Sequence, residues 1–371
     1  MTLKQLIKYL FSWRLATLLI AAVAYYALPI KDCCQNFGAH LDSNYLTNIW
    51  ANFAGTDFLD LARLGYGNTL KPATYVFFPL FPQLINNLTQ LTHNYLASGL
   101  IISHFSLVAA LYFLYRLVRL DYKEETAKLT LILLMIFPTS FFFGSVYTES
   151  FFLLLVVLSF YFVRKKLFFL ACLMALFAST TRFAGIFIWP ALIWEMWRER
   201  KNASFVWLIL PPLGLFSYMK FLFTKTGDAL YFLKVTPDFG PNLVISKLVL
   251  LHQVFFRYAK MLIFSSHSDI TFAIVLLEFI VGTAFLILTI YAFRKMRLSY
   301  SIYMLLSYLI PTFTGTFSSQ PRYALTVFPA FILLALWYKE QNPIIKRFFV
   351  AVNIAFGAII IALFTRGYFV G

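Results

Sequence analysis

Long apolar runs separated by short polar punctuation repeat along the chain. They lie near 13-30, 96-116, 128-146, 149-163, 167-181, 183-197, 204-223, 270-293, 299-316, 323-338 and 348-365. Crossing a bilayer takes about 20 mostly apolar residues, and the runs predict about eleven spanning helices. Runs 149-163 and 167-181 are short for that task, so tilted or re-entrant segments are expected there. The alternating, strand-length segments of a membrane barrel do not recur. The predicted fold is therefore an all-α, polytopic membrane helical bundle, read as one integral-membrane domain over 1-371. Two stretches break the rhythm, 31-95 and 224-269. In the first, segment 46-66 spaces Ile49, Phe53, Leu61 and Leu64 like an amphipathic helix ending at Gly65, and 243-264 is patterned likewise. Both read as interfacial helices in extracytoplasmic loops.

Composition sharpens this picture. Hydrophobic residues make up 61% of the chain and charged residues only 12%, so lipid is the expected solvent. A net charge of +16 invites a nucleic-acid reading, but the basic residues fall in small clusters between apolar runs rather than on one surface. With a cytoplasmic N-terminus the inner turns hold Lys4, Lys8 and Arg14; Arg116, Arg119, Lys123 and Lys128; Arg164, Lys165 and Lys166; Arg198, Arg200 and Lys201; Arg294, Lys295 and Arg297; Lys339, Lys346 and Arg347. The inverse orientation would break the positive-inside rule at all six. The expected protein is thus multi-pass, in a bacterial-type cell membrane or, in a eukaryote, the ER membrane, with its C-terminus and both long loops outside. Ala22-Val23-Ala24 is a possible processing site, but a retained first helix is expected because later helices need its orientation. Cys33, Cys34 and Cys172 form neither a disulfide framework nor a metal spacing.

Polar groups in or beside a bilayer are costly and are functional candidates by default. Asp57, Asp60, Arg63, Tyr147, Glu149, Arg182, His267, Asp269 and Arg322 all fall toward the outer side in this topology, where one outward-facing pocket could collect them. Each has a plainer reading. Asp57 and Asp60 could be solvated loop acids, and Glu149 an acid stabilising a helix N-terminus. Arg182 could snorkel to headgroups, and Glu278, inside the eighth run, could be neutral and hydrogen-bonded to a neighbouring helix. Phe141, Phe142 and Phe143 could line a groove for a prenyl chain. Asn87-Leu88-Thr89 is a glycosylation sequon on the outer side. The chain has no GxGxxG after a strand, P-loop, HExxH or GxSxG. A group-transfer site on the outer side lies away from nucleotide pools and needs a lipid-carried donor, which points to lipid-phosphate sugars.

At these residues the sequence becomes familiar. WANFAGTDFLDLARLGY at 50-66, FFPLFP at 77-82, FPTSFFFGSVYTESFFLLL at 137-155, TRFAGI at 181-186 and QPRYALTVFPAF at 320-331 resemble the GPI mannosyltransferase II family and its bacterial relatives, membrane glycosyltransferases of the GT-C superfamily. The resemblance runs in order over nearly the whole chain, and the FPTSFFF block with YTES is its most specific part. It implies an inverting transfer of a sugar, mannose in that family, from a polyprenyl-phosphate donor to a glycan or glycolipid acceptor on the extracytoplasmic side. Bacterial relatives read W-x-N-F-D-G-x-H-Y-L-x-I-A-x-x-G-Y in the first loop; this chain has Ala54 at the acidic position and Asp57 at the histidine. Asp57 lies one turn on and on nearly the same helical face. It could take over as base; alternatively Asp60 or Glu149 acts, or catalysis is lost. Arg182 and Arg322 suit the donor phosphate, because guanidinium grips it bidentately, with Arg63, Tyr147 and Tyr323 as further substrate-binding candidates. Asp57-Phe58-Leu59-Asp60 has the wrong spacing for a DxD, so no metal and no cofactor is expected. The expected partners are the lipid-linked sugar, the acceptor and membrane lipids, with no nucleic acid. The rivals are a transporter or lipid flippase, which would show repeated halves and midplane polar sites, and a catalytically inactive relative.

Overall fold

A computed structural model describes residues 3–31, 45–67, 72–199, 202–235, 249–264 and 270–370, and among them every regular element is helical. In chain order the α-helices are α1 (Leu3–Ala27), α2 (Tyr45–Asn48), α3 (Ala54–Leu64), α4 (Leu80–Thr92), α5 (Tyr95–Val118), α6 (Glu124–Met135), α7 (Glu149–Arg164), α8 (Phe168–Thr181) and α9 (Ile188–Arg198). They continue as α10 (Leu210–Thr226), α11 (Tyr231–Lys234), α12 (Leu251–Phe264), α13 (Ile270–Lys295), α14 (Leu298–Thr312), α15 (Gln320–Ala324), α16 (Phe328–Glu340) and α17 (Pro343–Thr365). Among the described residues five segments are long and apolar enough to cross a membrane: Lys4–Ala27, Tyr95–Val118, Ser204–Thr226, Phe272–Lys295 and Pro343–Thr365. Their ends are set locally. Asn94 and Asn342 cap α5 and α17 by accepting the Ala97 and Ile345 amides, each at 2.9 Å, and Gly227 closes α10 at φ 76°.

The chain divides into two compact units. The first comprises residues 1–69, 79–161 and 331–370. In it α1 packs on α17, and α3 and α4 pack on each other and on α5. Its interior is aromatic: Phe141, Phe142 and Phe143 are wholly buried, and Phe141 and Phe142 stack at 4.3 Å and pack on Phe364. These phenylalanines are core and line no prenyl groove.

The second unit comprises 70–78 and 162–330. Here α8 and α10 touch almost backbone to backbone: a Cβ on Gly214 would lie 2.2 Å from Ser179 Oγ, which donates to the Pro211 carbonyl at 2.7 Å. Helices α9 and α14 are joined by Glu195, whose carboxylate accepts Arg297 Nε at 3.2 Å, Arg297 Nη2 at 3.3 Å and Ser299 Oγ at 2.6 Å.

Several expectations change. Run 128-146 is not one helix, because α6 ends at Met135 and the chain continues into a 3-10 turn over Ser140–Gly144. Segment 46-66 is likewise broken: a 3-10 turn over Ile49–Ala51 precedes α3, and Phe53 joins them at φ 57° and ψ −123°. Leu64 is exposed rather than on the buried stripe. Of segment 243-264 the described part is helical over Leu251–Phe264. Arg14 is not a residue of an inner turn; it lies inside α1. His267 and Asp269 lie outside the described residues, as do Cys33 and Cys34.

Candidate active site

In the first unit, the two stretches that carry most of the family resemblance pack on each other. The Val146 amide donates to the Trp50 carbonyl at 2.9 Å, and the Tyr147 hydroxyl donates to the Asn52 carbonyl at 2.8 Å. Asn52 Nδ2 in turn donates to the Phe364 carbonyl at 2.9 Å. Gly55 permits the approach, since a Cβ there would meet the Val146 carbonyl oxygen at 3.3 Å. Tyr147, 2% exposed, is ringed by Phe58, Phe142 and Phe364. Its hydroxyl is committed to the backbone, so it props α3.

The acids on and near this frame differ in access. Asp57, in the first turn of α3, is 8% exposed, and Glu149, opening α7, is 1% exposed. Asp60 and Arg63 are exposed on α3. Asp57 and Asp60 are only about 60° apart around the helix, so they straddle the edge of its buried stripe, Asp57 inside it and Asp60 outside. The positive φ of Phe53 is a conformation that a bulky residue adopts only under constraint. Here the Asn52 bonds and the packing of Phe53 on Phe364 and Phe369 hold it.

The second unit assembles the arginines. Helix α8 ends at Thr181, and Arg182 leaves it extended at φ −153° and ψ 149°. A 3-10 turn over Phe183–Phe187 then folds back so closely that a Cβ on Gly185 would fall 2.2 Å from the Ala178 carbonyl carbon. Arg322 and Tyr323 sit on the short α15, entered through Ser319 at φ 61° and started by Pro321. The guanidinium carbons of Arg182 and Arg322 lie 5.0 and 5.2 Å from the centroid of the Tyr323 ring. Two cations 140 positions apart in sequence thus share one phenol, an arrangement suited to an oxyanion.

The turn before α15 is pinned at Gly315 and Phe317, and the second pin is itself held by Glu278. Arg257 Nη1 donates to the Gly315 carbonyl at 2.9 Å, the Phe317 amide donates to the Tyr258 hydroxyl at 3.1 Å, and Tyr258 donates to Glu278 Oε2 at 2.6 Å. Burial, reinforced by the Glu278 charge, pushes the Tyr258 phenol well above its ordinary pKa, so it stays a donor. Phe317 rests on Gly282, where a Cβ would be 2.9 Å from its ring. Glu278 is therefore hydrogen-bonded to a neighbouring helix, and it also anchors the approach to Arg322. Nothing in the sequence pattern marks Tyr258 as its partner.

Elsewhere, the sequon's Thr89 is buried and bonds Ile85 and Ser98, while Asn87 is exposed on α4. Cys172 is buried and free. Among the described residues no three His, Cys, Asp or Glu side chains gather to hold a metal.

No family model and no curated protein matches the chain. Among solved structures it is similar to the Archaeoglobus fulgidus oligosaccharyltransferase. Against the form tethered to an acceptor peptide containing the NVT sequon the identity is 15% and the TM-score 0.42, over 96% of this chain and 55% of that one. Against the apo form the identity is 13% and the TM-score 0.39, over 97% and 56%. The chain spans about half the length of that neighbour, and a likeness this loose assigns neither substrate nor residue roles.

Proposed function

We propose that this chain is a membrane glycosyltransferase that moves a sugar, mannose by the family resemblance, from a polyprenyl-phosphate donor to a glycan or glycolipid acceptor on the extracytoplasmic side. The observation that carries this reading is the pairing of Arg182 and Arg322 on Tyr323. A lipid-linked sugar leaves behind a phosphate, and two guanidiniums supply the charge and fork geometry to bind it and to stabilise charge developing on it. In the reaction the acceptor oxygen bonds to the sugar's anomeric carbon as the bond from that carbon to the phosphate oxygen breaks, inverting the configuration. The acceptor's proton passes to a carboxylate and the electron pair leaves with polyprenyl phosphate. We assign the base to Asp57, because it is largely buried yet not sealed, whereas Asp60 faces outward and Glu149 is almost wholly enclosed. Tyr147 and Asn52 then position α3 rather than bind substrate.

The deciding experiment is in vitro transfer by purified protein in lipid nanodiscs, with the donor's sugar and lipid varied separately. Sugar transfer from polyprenyl-phosphate mannose, absent with a nucleotide sugar, is the expected result. Movement of the lipid between leaflets without transfer would instead support the flippase reading.

A further inference from the structure

Inside α1 is a charge that the proposed chemistry does not use. Arg14 is the twelfth of the 25 residues of α1 and lies inside the first candidate span, where an unneutralised guanidinium is costly. Its carbon lies 4.1 Å from the centre of the Trp50 indole, and Gly144 leaves room for its other side: a Cβ there would come 2.8 Å from Arg14 Nη1 and 3.1 Å from Trp13. Arg14 Nη1 and Trp50 Nε1 are both fully buried and have no hydrogen-bond partner among the described residues. Trp13 Nε1 points to Ser140 Oγ at 3.4 Å, near the long limit for a hydrogen bond. The neighbouring imidazole of His104 bonds the Leu100 carbonyl at 2.7 Å and contributes no negative charge. The cluster is therefore rich in donors, and no carboxylate among the described residues pairs with Arg14. Cation–π stacking offsets only part of that cost.

We infer that Arg14, with Trp50, forms an anion site in the first unit that takes a phosphate group. Within a bilayer the abundant oxyanion is phosphate, and a planar guanidinium beside an indole N–H matches its tetrahedral oxygens. Arg14 is only half-buried, so part of it stays open to such a group. Three sources share this chemistry: the phosphate of a polyprenyl lipid, a phospholipid headgroup, and free phosphate. The inference concerns binding and does not rest on sugar transfer.

The test uses the full chain in phosphatidylcholine nanodiscs, in an Arg182→Gln, Arg322→Gln background so that the second unit's cluster contributes nothing. Polyprenyl monophosphate, phosphatidic acid and inorganic phosphate are titrated separately, with unphosphorylated polyprenol as control, reading affinity and thermal shift. At least one phosphate probe should bind and raise Tm, with Arg14→Lys weakening it about tenfold through loss of the fork and Arg14→Gln abolishing it. Trp50→Phe, which keeps the stack but loses the indole N–H, should weaken it less. Which probe responds identifies the source. Unchanged affinity in Arg14→Gln would overturn the site and leave Arg14 as a packing cation. If Arg14→Gln does not fold, the site is equally overturned when no phosphate probe shifts the Tm of the parent protein.

Discussion

At the scale of single residues, the choice between Asp57 and Asp60 is one of access. Asp57→Asn should lower turnover by about 10²-fold with expression and donor binding intact, because it removes the proton acceptor with little change in size. Asp60→Asn should leave steady-state kinetics nearly unchanged; the reverse pattern would move the base to the exposed acid. Arg182→Lys should raise donor KM and lower kcat although charge is kept, since an ammonium cannot grip phosphate bidentately. Unchanged kinetics would reduce Arg182 to a headgroup contact. The sequence makes these residue types visible but not their surroundings. Nothing in TRFAGI and QPRYAL says that their arginines meet on one ring, because that depends on the Gly185 fold-back and the left-handed Ser319. Arg14 is hidden for a related reason: hydropathy starts the span near residue 13 and leaves Arg14 at the edge of a basic cluster, while the helix begins at Leu3.

At the scale of elements, hydropathy locates most helices because burial in lipid and burial in protein both select apolar residues. It fails where helices break. Ile136 to Thr139 and Asn52 to Phe53 sit inside apolar or amphipathic windows, and a window average cannot register a proline at 138 or a hydrogen bond from Asn52 to residue 364. Close contacts between elements are equally invisible and can be tested. Gly214→Leu should force α8 and α10 apart and destabilise the protein by about 1–3 kcal/mol or more, seen as a lowered Tm. Glu195→Ala should cost about 3–5 kcal/mol, because it strands Arg297 and Ser299 at the α9 to α14 junction. Glu195→Ala combined with Arg297→Leu should recover part of that loss, which a double-mutant cycle would read.

For the whole molecule, we read the surplus of +16 as an orientation signal distributed over the turns, a reading that predicts the two termini on opposite faces. Reporter fusions at Lys4 and Gly371 decide this: two cytoplasmic ends would invalidate the sidedness from which the outer site was argued. The division into two units is not legible in the sequence, because the second is interrupted by residues 79–161 and is completed by a nine-residue piece, 70–78. Tyr218 shows what binds that piece, donating to the Tyr75 carbonyl at 2.6 Å and packing on Phe78. No periodicity of 3.6 carries such information.

The bond from Asn52 to Phe364 also sets a clock. Its partners are 312 residues apart, and at about 5–20 residues per second the carbonyl is synthesised about 15–60 s after the amide that needs it. The loop that carries Asn52 is therefore made early and waits, its strained Phe53 junction unsecured, until the end of α17 arrives. Nascent chains arrested before Phe364 should be cut by external protease near residues 50–54, and release of the complete chain should confer protection. Protection already present in the arrested chain would show that the Tyr147 and Trp50 contacts alone suffice to close the loop.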